Sequence, residues 1–232
     1  MKLRFMVVLC CALLVAASAL AGEKVELKTQ KDKASYAIGL DMGNSLKRNS
    51  IEVNTDILVK GIKDALSGGK LLMTDQEMKE TIATLQKELQ AKQQEKTKEL
   101  AEKNKKEGEA FLAGNKKKDG VITLASGLQY KIIKNGEGKL PKADDSVTVN
   151  YRGTLIDGTE FDSSYKRSQP ATFQVNGVIP GWTEALQLMK EGSKWQLFIP
   201  ANLAYGERGA GRDIGPNAVL IFEVGLIKIN TK

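Results

Sequence analysis

The sequence predicts an α+β fold: an antiparallel sheet wrapped around one short helix, preceded by an all-α region with a long connecting helix. All five prolines, both tryptophans and ten of the thirteen aromatic residues lie after Gly120, whereas residues 22–120 are rich in Lys, Glu, Gln, Leu and Ala. The first half carries apolar residues at helical spacing, and the second carries short alternating runs cut by Gly and Pro. The expected division is a leader over 1–21, a helical dimerisation region over 22–73, a long connecting helix over 74–120 and a strand-rich domain over 121–232.

Met1-Lys2-Leu3-Arg4, the apolar run from Phe5 to Leu20 and the small-x-small triplet Ala19-Leu20-Ala21 read as a secretory signal peptide cleaved before Gly22. The run is short for a membrane span and turns polar at Gly22-Glu23-Lys24, so no stable membrane anchor is expected after cleavage. Both cysteines, Cys10 and Cys11, would leave with the leader. A thiol-free mature chain suits an oxidising compartment, so the protein is expected to be exported and periplasmic, with the outer membrane as a further place of association. The formal charge of +7 is spread over both halves. It forms no one-sided patch, which argues against a nucleic-acid partner.

Asp32 is the expected cap of a first helix to about Lys47, with Ile38, Met42 and Leu46 on one stripe. Asn54 or Thr55 caps a second helix through Leu66, which Gly68-Gly69 stops. Thr74-Asp75-Gln76-Glu77 is a capping box, and a helical pattern free of proline follows to about Leu112, a rod of about 57 Å at 1.5 Å per residue. Met78, Ile82, Leu85 and Leu89 form a seam on it, while the stretch from Gln90 to Glu99 has no large apolar residue and should stand in water. Its competing reading is a disordered charged linker. Two short helices and the seam are too little for a core of their own, so a homodimer through residues 34–90 is expected.

After Gly120, Leu128/Tyr130/Ile132, Val147/Val149/Tyr151 and Trp195/Leu197/Ile199 alternate with polar neighbours, the pattern of half-buried strands. Asp157-Gly158 signals a two-residue hairpin. Trp182, Ala185, Leu186 and Met189 mark one short amphipathic helix over Gly181–Lys190, and Ala218–Ile229 reads as a central strand.

Nine aromatic residues fall between Tyr151 and Phe222, around the pair Phe161-Asp162, in a chain with no histidine and no cysteine beyond position 11. The usual nucleophile and base pairs cannot be assembled from such residues, and metal and thiol chemistry are not expected. What remains is an apolar pocket that works by binding and desolvation, without a cofactor.

Five segments then occur in a telling order: Phe161-Asp162-Ser163-Ser164, Val178-Ile179-Pro180-Gly181-Trp182, Ala204-Tyr205-Gly206, Gly215-Pro216-Asn217-Ala218 and Leu220-Ile221-Phe222-Glu223-Val224. In order and spacing they resemble the FKBP-type peptidyl-prolyl cis-trans isomerases, over roughly Leu124–Ile229. Residues 30–120 and the Ser126-Gly127-Leu128-Gln129-Tyr130 junction resemble the helical region of the macrophage infectivity potentiator subgroup.

The resemblance implies that Trp182 floors a pocket, that Tyr151, Phe161 and Phe222 wall it, and that Val178, Ile179 and Ile214 fill its sides. Asp162 and Tyr205 would offer polar contacts to a bound peptide. Trp195, Phe198 and Phe173 are expected in the core. Asn150, Ala171 and Ala210 depart from the family pattern, where histidine, a wall phenylalanine and histidine are common. The two alanines open the pocket. Partners implied are proline-containing unfolded or partly folded polypeptides and a macrolide inhibitor.

An Xaa-Pro bond prefers trans by only about 0.5–1 kcal/mol, yet it rotates over tens to hundreds of seconds because amide resonance must be broken. The planar amide is the more charge-separated form, and water stabilises it. A dry aromatic pocket would therefore favour the twisted transition state without any proton transfer. The alternative reading is a periplasmic chaperone that holds unfolded clients in the cleft of a dimer, with isomerisation secondary.

Overall fold

The computed structural model describes residues 26–230; the leader expected over 1–21 lies outside the described residues. The chain divides into two compact units, before and after the Met73–Thr74 bond.

The first unit holds α1 (Gln30–Arg48) and α2 (Thr55–Ser67). Thr29, rather than Asp32, is the cap of α1: the Thr29 hydroxyl accepts from the Asp32 N–H, while the Asp32 carboxylate accepts from the Thr29 N–H. A threonine and a carboxylate three residues apart satisfy two free amides at once, which a lone aspartate cap cannot do. Asn54 caps α2, and Gly68 ends it in the left-handed conformation at φ 65°. Neither helix buries a residue. Ile38, Leu66 and Leu72 are 65%, 84% and 74% exposed, an apolar surface that this unit does not cover by itself.

The second unit begins with α3 (Asp75–Asn115), 41 residues or about 61 Å long. The Thr74 capping box forms with Glu77, and every residue from Gln90 to Leu100 is solvent-exposed. The helix continues past Leu112, and its last turns are docked rather than free. Phe111 packs on Phe198 with ring centroids 6.0 Å apart, and a Cβ at Gly108 would come 2.7 Å from Val219. Asn115 Nδ2 donates to Gln129 Oε1, whose amide donates in turn to the Leu112 carbonyl. These contacts tie the helix to the sheet on which the site is built.

That sheet comprises β1 (Val121–Thr123), β2 (Gln129–Lys134), β3 (Ser146–Thr154), β4 (Glu160–Ser163), β5 (Ala171–Gln174), β6 (Lys194–Ile199) and β7 (Leu220–Asn230), in the order β1-β2-β6-β7-β3-β4, with β5 also paired to β3. All pairings are antiparallel. The long apolar β7 is central, between β6 and β3. Its Leu220, Phe222, Val224 and Leu226 are buried in alternation, as are Val147, Val149 and Tyr151 of β3. They pack with Trp182, Ala185 and Leu186 of α4 (Pro180–Leu186) and with Met189 beyond it. Pro180 opens α4 where its missing N–H costs nothing.

Three expectations are corrected here. The helix over 181–190 ends at Leu186, and Met189 is buried from a turn. Ile132 is more than a third exposed, although it stands opposite the buried Trp195. Phe198 is buried as expected, in a patch against α3 beside the main cluster. The Asp157-Gly158 turn is wider than two residues: Gly158 N–H donates to Leu155 O and Leu155 N–H to Thr159 O, with Gly158 at φ 88°. Glycine supplies the left-handed residue after the turn, so Asp157-Gly158 marks a hairpin with a three-residue loop.

Candidate active site

Tyr151 leaves β3 and Phe222 leaves β7 toward the same side of the sheet, because buried residues alternate along both strands. Phe161 and Asp162 come from β4, Phe173 from β5 and Trp182 from α4, while Val178 and Ile179 lead into that helix. Tyr205 follows the short 3-10 turn Ala201–Leu203. Ile214 closes a tight ribbon with Ala210. All nine residues singled out from the sequence line one cavity of about 710 Å³.

The rings interlock edge to face. Trp182, 4% exposed, stands nearly perpendicular to Tyr151, Phe173 and Phe222, with centroid separations of 5.4, 5.8 and 5.1 Å. Phe161 meets Phe222 in the same way at 5.4 Å. Such pairs contribute about 0.5–1.5 kcal/mol each beyond area burial, so the floor and walls hold one another in place. Phe173, expected as plain core, lines the cavity as well. Ala210, Gly211 and Asp213 also line the cavity, on the ribbon closed by Ile214.

Asp162 does not stand free. Tyr151 donates its hydroxyl to Asp162 Oδ2, Arg167 Nη1 donates to Oδ1 at 2.7 Å, and the Ser163 N–H donates to the same oxygen at 2.8 Å. Arg167 Nη2 also donates to the Tyr151 hydroxyl, closing a triangle. Arg167 was missed at the sequence level: in Tyr165-Lys166-Arg167 nothing in the spacing separates it from a solvated basic pair, and only the 3-10 turn over these residues swings it back.

Burial pushes the Asp162 carboxyl up, but the Tyr151, Arg167 and Ser163 donors outweigh it and hold it below the usual carboxylate value. Burial and the Asp162 contact push the Tyr151 phenol up. The Asp162 and Tyr151 contacts keep Arg167 charged further into alkali. A carboxyl whose folded pKa is depressed contributes fully above its unfolded value, and that contribution is lost as pH falls through the folded one. The triangle should therefore stay intact from about pH 5 to 9, with the rate flat over that range and falling only below the ordinary aspartate range near 3.9. Initial rates across that pH series check this expectation.

Gly153 of β3 lies behind two walls: a Cβ there would come 2.7 Å from both Phe161 and Phe222. A Gly153→Ala substitution should cost about 1–3 kcal/mol of stability through overpacking and should displace both rings. Urea denaturation reads the first effect, and the isomerisation rate reads the second.

An antiparallel sheet on one short helix, with a ring-lined cavity between them and a helical region ahead, defines an isomerase of the FKBP class. Residues 137–227 match the family model described as FKBP-type peptidyl-prolyl cis-trans isomerase, and residues 31–132 match the domain amino terminal to it. The chain is 49% identical over 229 residues to the outer membrane protein MIP of Legionella longbeachae, covering 99% of this chain and 98% of that one. It is 51% identical over 200 residues to a probable FKBP-type peptidyl-prolyl cis-trans isomerase FkpA of Neisseria meningitidis, covering 85% and 74%. The crystal structure of FkpA from Escherichia coli superposes with a TM-score of 0.71 at 39% identity, over 88% of this chain and 99% of that one. The chain belongs to the FKBP-type peptidyl-prolyl cis-trans isomerases, in the macrophage infectivity potentiator-like subgroup, and is an enzyme of that activity. No described helix is long and apolar enough to cross a membrane.

Proposed function

We propose that the cavity is where this isomerase turns Xaa-Pro bonds of folding clients, and that it does so by desolvation and shape alone. The substrate proline sits on the Trp182 ring, between Tyr151, Phe161 and Phe222, with Val178, Ile179 and Ile214 along the flanking residues. Tyr205, 41% exposed at the rim, donates to a substrate carbonyl. Asp162 faces the carbonyl that rotates. Its lone pairs are engaged by Tyr151, Arg167 and Ser163, so it serves as a fixed charge at the edge of the ring-lined cavity and not as a proton acceptor. The observation that carries this reading is the gathering of all nine residues on one cavity around that fixed carboxylate.

The small Ala210 on the cavity wall admits bulkier groups beside the proline, and a macrolide is a second occupant of suitable chemistry. A protease-coupled assay on short proline peptides tests the site: Tyr205→Phe should lower kcat/KM by about tenfold, the worth of roughly one hydrogen bond at 1.4 kcal/mol. An unchanged rate would remove Tyr205 from the site.

The chain is further read as exported and periplasmic, with outer-membrane association, and as a homodimer through residues 34–90. The name of the Legionella relative, an outer membrane protein, supports the first. The uncovered apolar surface of α1 and α2, together with exposed Met78 and Ile82 on α3, supports the second. Mass measured in solution should be twice that of the mature chain at micromolar concentration. A single-chain mass would refute pairing.

A further inference from the structure

The cavity wall from Ala204 to Asn217 is held from behind by the long helix. Ala210 N–H donates to Ile214 O at 2.8 Å and Ile214 N–H returns to Ala210 O at 3.2 Å, closing the ribbon whose Ala210, Gly211, Asp213 and Ile214 line the cavity. Immediately after Ile214 the chain runs onto α3. Asn104 Nδ2 donates to the Pro216 carbonyl at 2.8 Å, and Asn217 Nδ2 donates to the Ala101 carbonyl at 3.4 Å. Gly215 lies so close to the helix that a Cβ there would come 3.0 Å from both Leu100 and the Asn104 amide. Asn217, at φ 56°, donates its N–H to Gly206 O at 2.8 Å, next to Tyr205.

The segment needs such a support. Gly206, Gly209 and Gly211 all take positive φ, a backbone with many alternatives available to it, and Pro216 has no N–H to offer a ladder. Asn104 contributes the one side-chain bond to the Pro216 carbonyl among the described residues. We propose that Asn104 is a positioning residue for the isomerase site: from α3 it fixes the 204–217 segment so that Ile214 and Tyr205 meet the substrate. Substrate affinity is thereby coupled to the docking of a helix outside the isomerase domain. The inference rests on the reading of Ile214 and Tyr205 as substrate contacts given above.

A segment that spends only a fraction of its time in the competent arrangement raises the apparent KM by the inverse of that fraction and leaves turnover of the bound complex alone. In the full-length chain, Asn104→Asp keeps the size of the side chain but turns a carboxylate toward the Pro216 carbonyl. It should raise KM about fivefold or more with kcat within about twofold, and should speed amide exchange over 206–217 while β3, β6 and β7 keep their protection. Asn104→Ala removes the donor without adding charge and should act in the same direction. Lys105→Ala, on the exposed side of the same turn, should change neither quantity. Unchanged KM and exchange in both Asn104 variants would overturn the proposal, as would exchange that rises equally across the whole sheet. An Ile214→Ala arm separates the two layers. If it lowers kcat/KM while the Asn104 variants leave KM alone, the support is refuted and the substrate wall stands; if it too is silent, the wall itself is misassigned.

Discussion

Asp162→Leu is expected to lower kcat/KM by roughly 10- to 100-fold while barely moving the thermal midpoint. The carboxylate joins the Tyr151 hydroxyl to Arg167, and removing it leaves a part-buried phenol and a guanidinium without their acceptor. Under the proposed role of a fixed charge beside the rotating carbonyl, each loss of about 1.4 kcal/mol from the transition state is a factor of ten in rate. The Asp162 side chain is 42% exposed, so water can replace much of what it gives to folding. Activity and stability should therefore separate. Asp162→Asn keeps the shape and loses the charge, and should fall between wild type and leucine. Equal rates for the three proteins would show that the carboxylate takes no part in the reaction.

Trp182→Ala is expected to cost about 3–5 kcal/mol of stability, the range for truncating a buried aromatic residue, and to raise KM steeply. Three rings stand edge-on to this indole, and the buried Ala185, Leu186 and Met189 lie in the same cluster. Deleting it removes the floor and frees Tyr151, Phe173 and Phe222 to turn. Trp182→Phe restores part of the packing and should recover much of the stability but less of the affinity. Urea denaturation and the peptide assay on both variants separate these effects. A Trp182→Ala protein with wild-type KM would mean that the proline binds elsewhere.

The parts of the fold that rest on local chemistry were legible in the sequence. Thr74 with Glu77 marks a helix start because both side chains answer free amides within one turn. The alternation in Val147, Val149 and Tyr151, and the long apolar run of β7, reflect how each strand is buried. Most of the nine cavity residues are legible through five segments whose order matches a family, since ring count alone does not tell a pocket from a core, while Tyr151 and Ile214 lie outside those segments. What stayed hidden depends on approach between distant segments. Arg167 reaches Asp162 only because a 3-10 turn reverses the chain. Asn104 looks like one more polar residue on a charged helix, and its partner carbonyl lies 112 residues away. Phe198 stands out of phase with Trp195, Leu197 and Ile199, and its burial comes from Phe111 of α3, which covers that face. The Thr29 cap is hard to see because Asp32 is the stronger capping residue until the reciprocal bond between the two is considered.

The central claim is that a dry, ring-lined cavity lowers the barrier to rotation about a peptide bond with no proton in flight. Comparing kcat/KM for one short proline peptide in light and heavy water, at matched positions on the flat part of the pH profile, tests it most directly. The account predicts equal rates in the two solvents. A clearly slower reaction in heavy water would place a proton transfer in the rate-limiting step and contradict it.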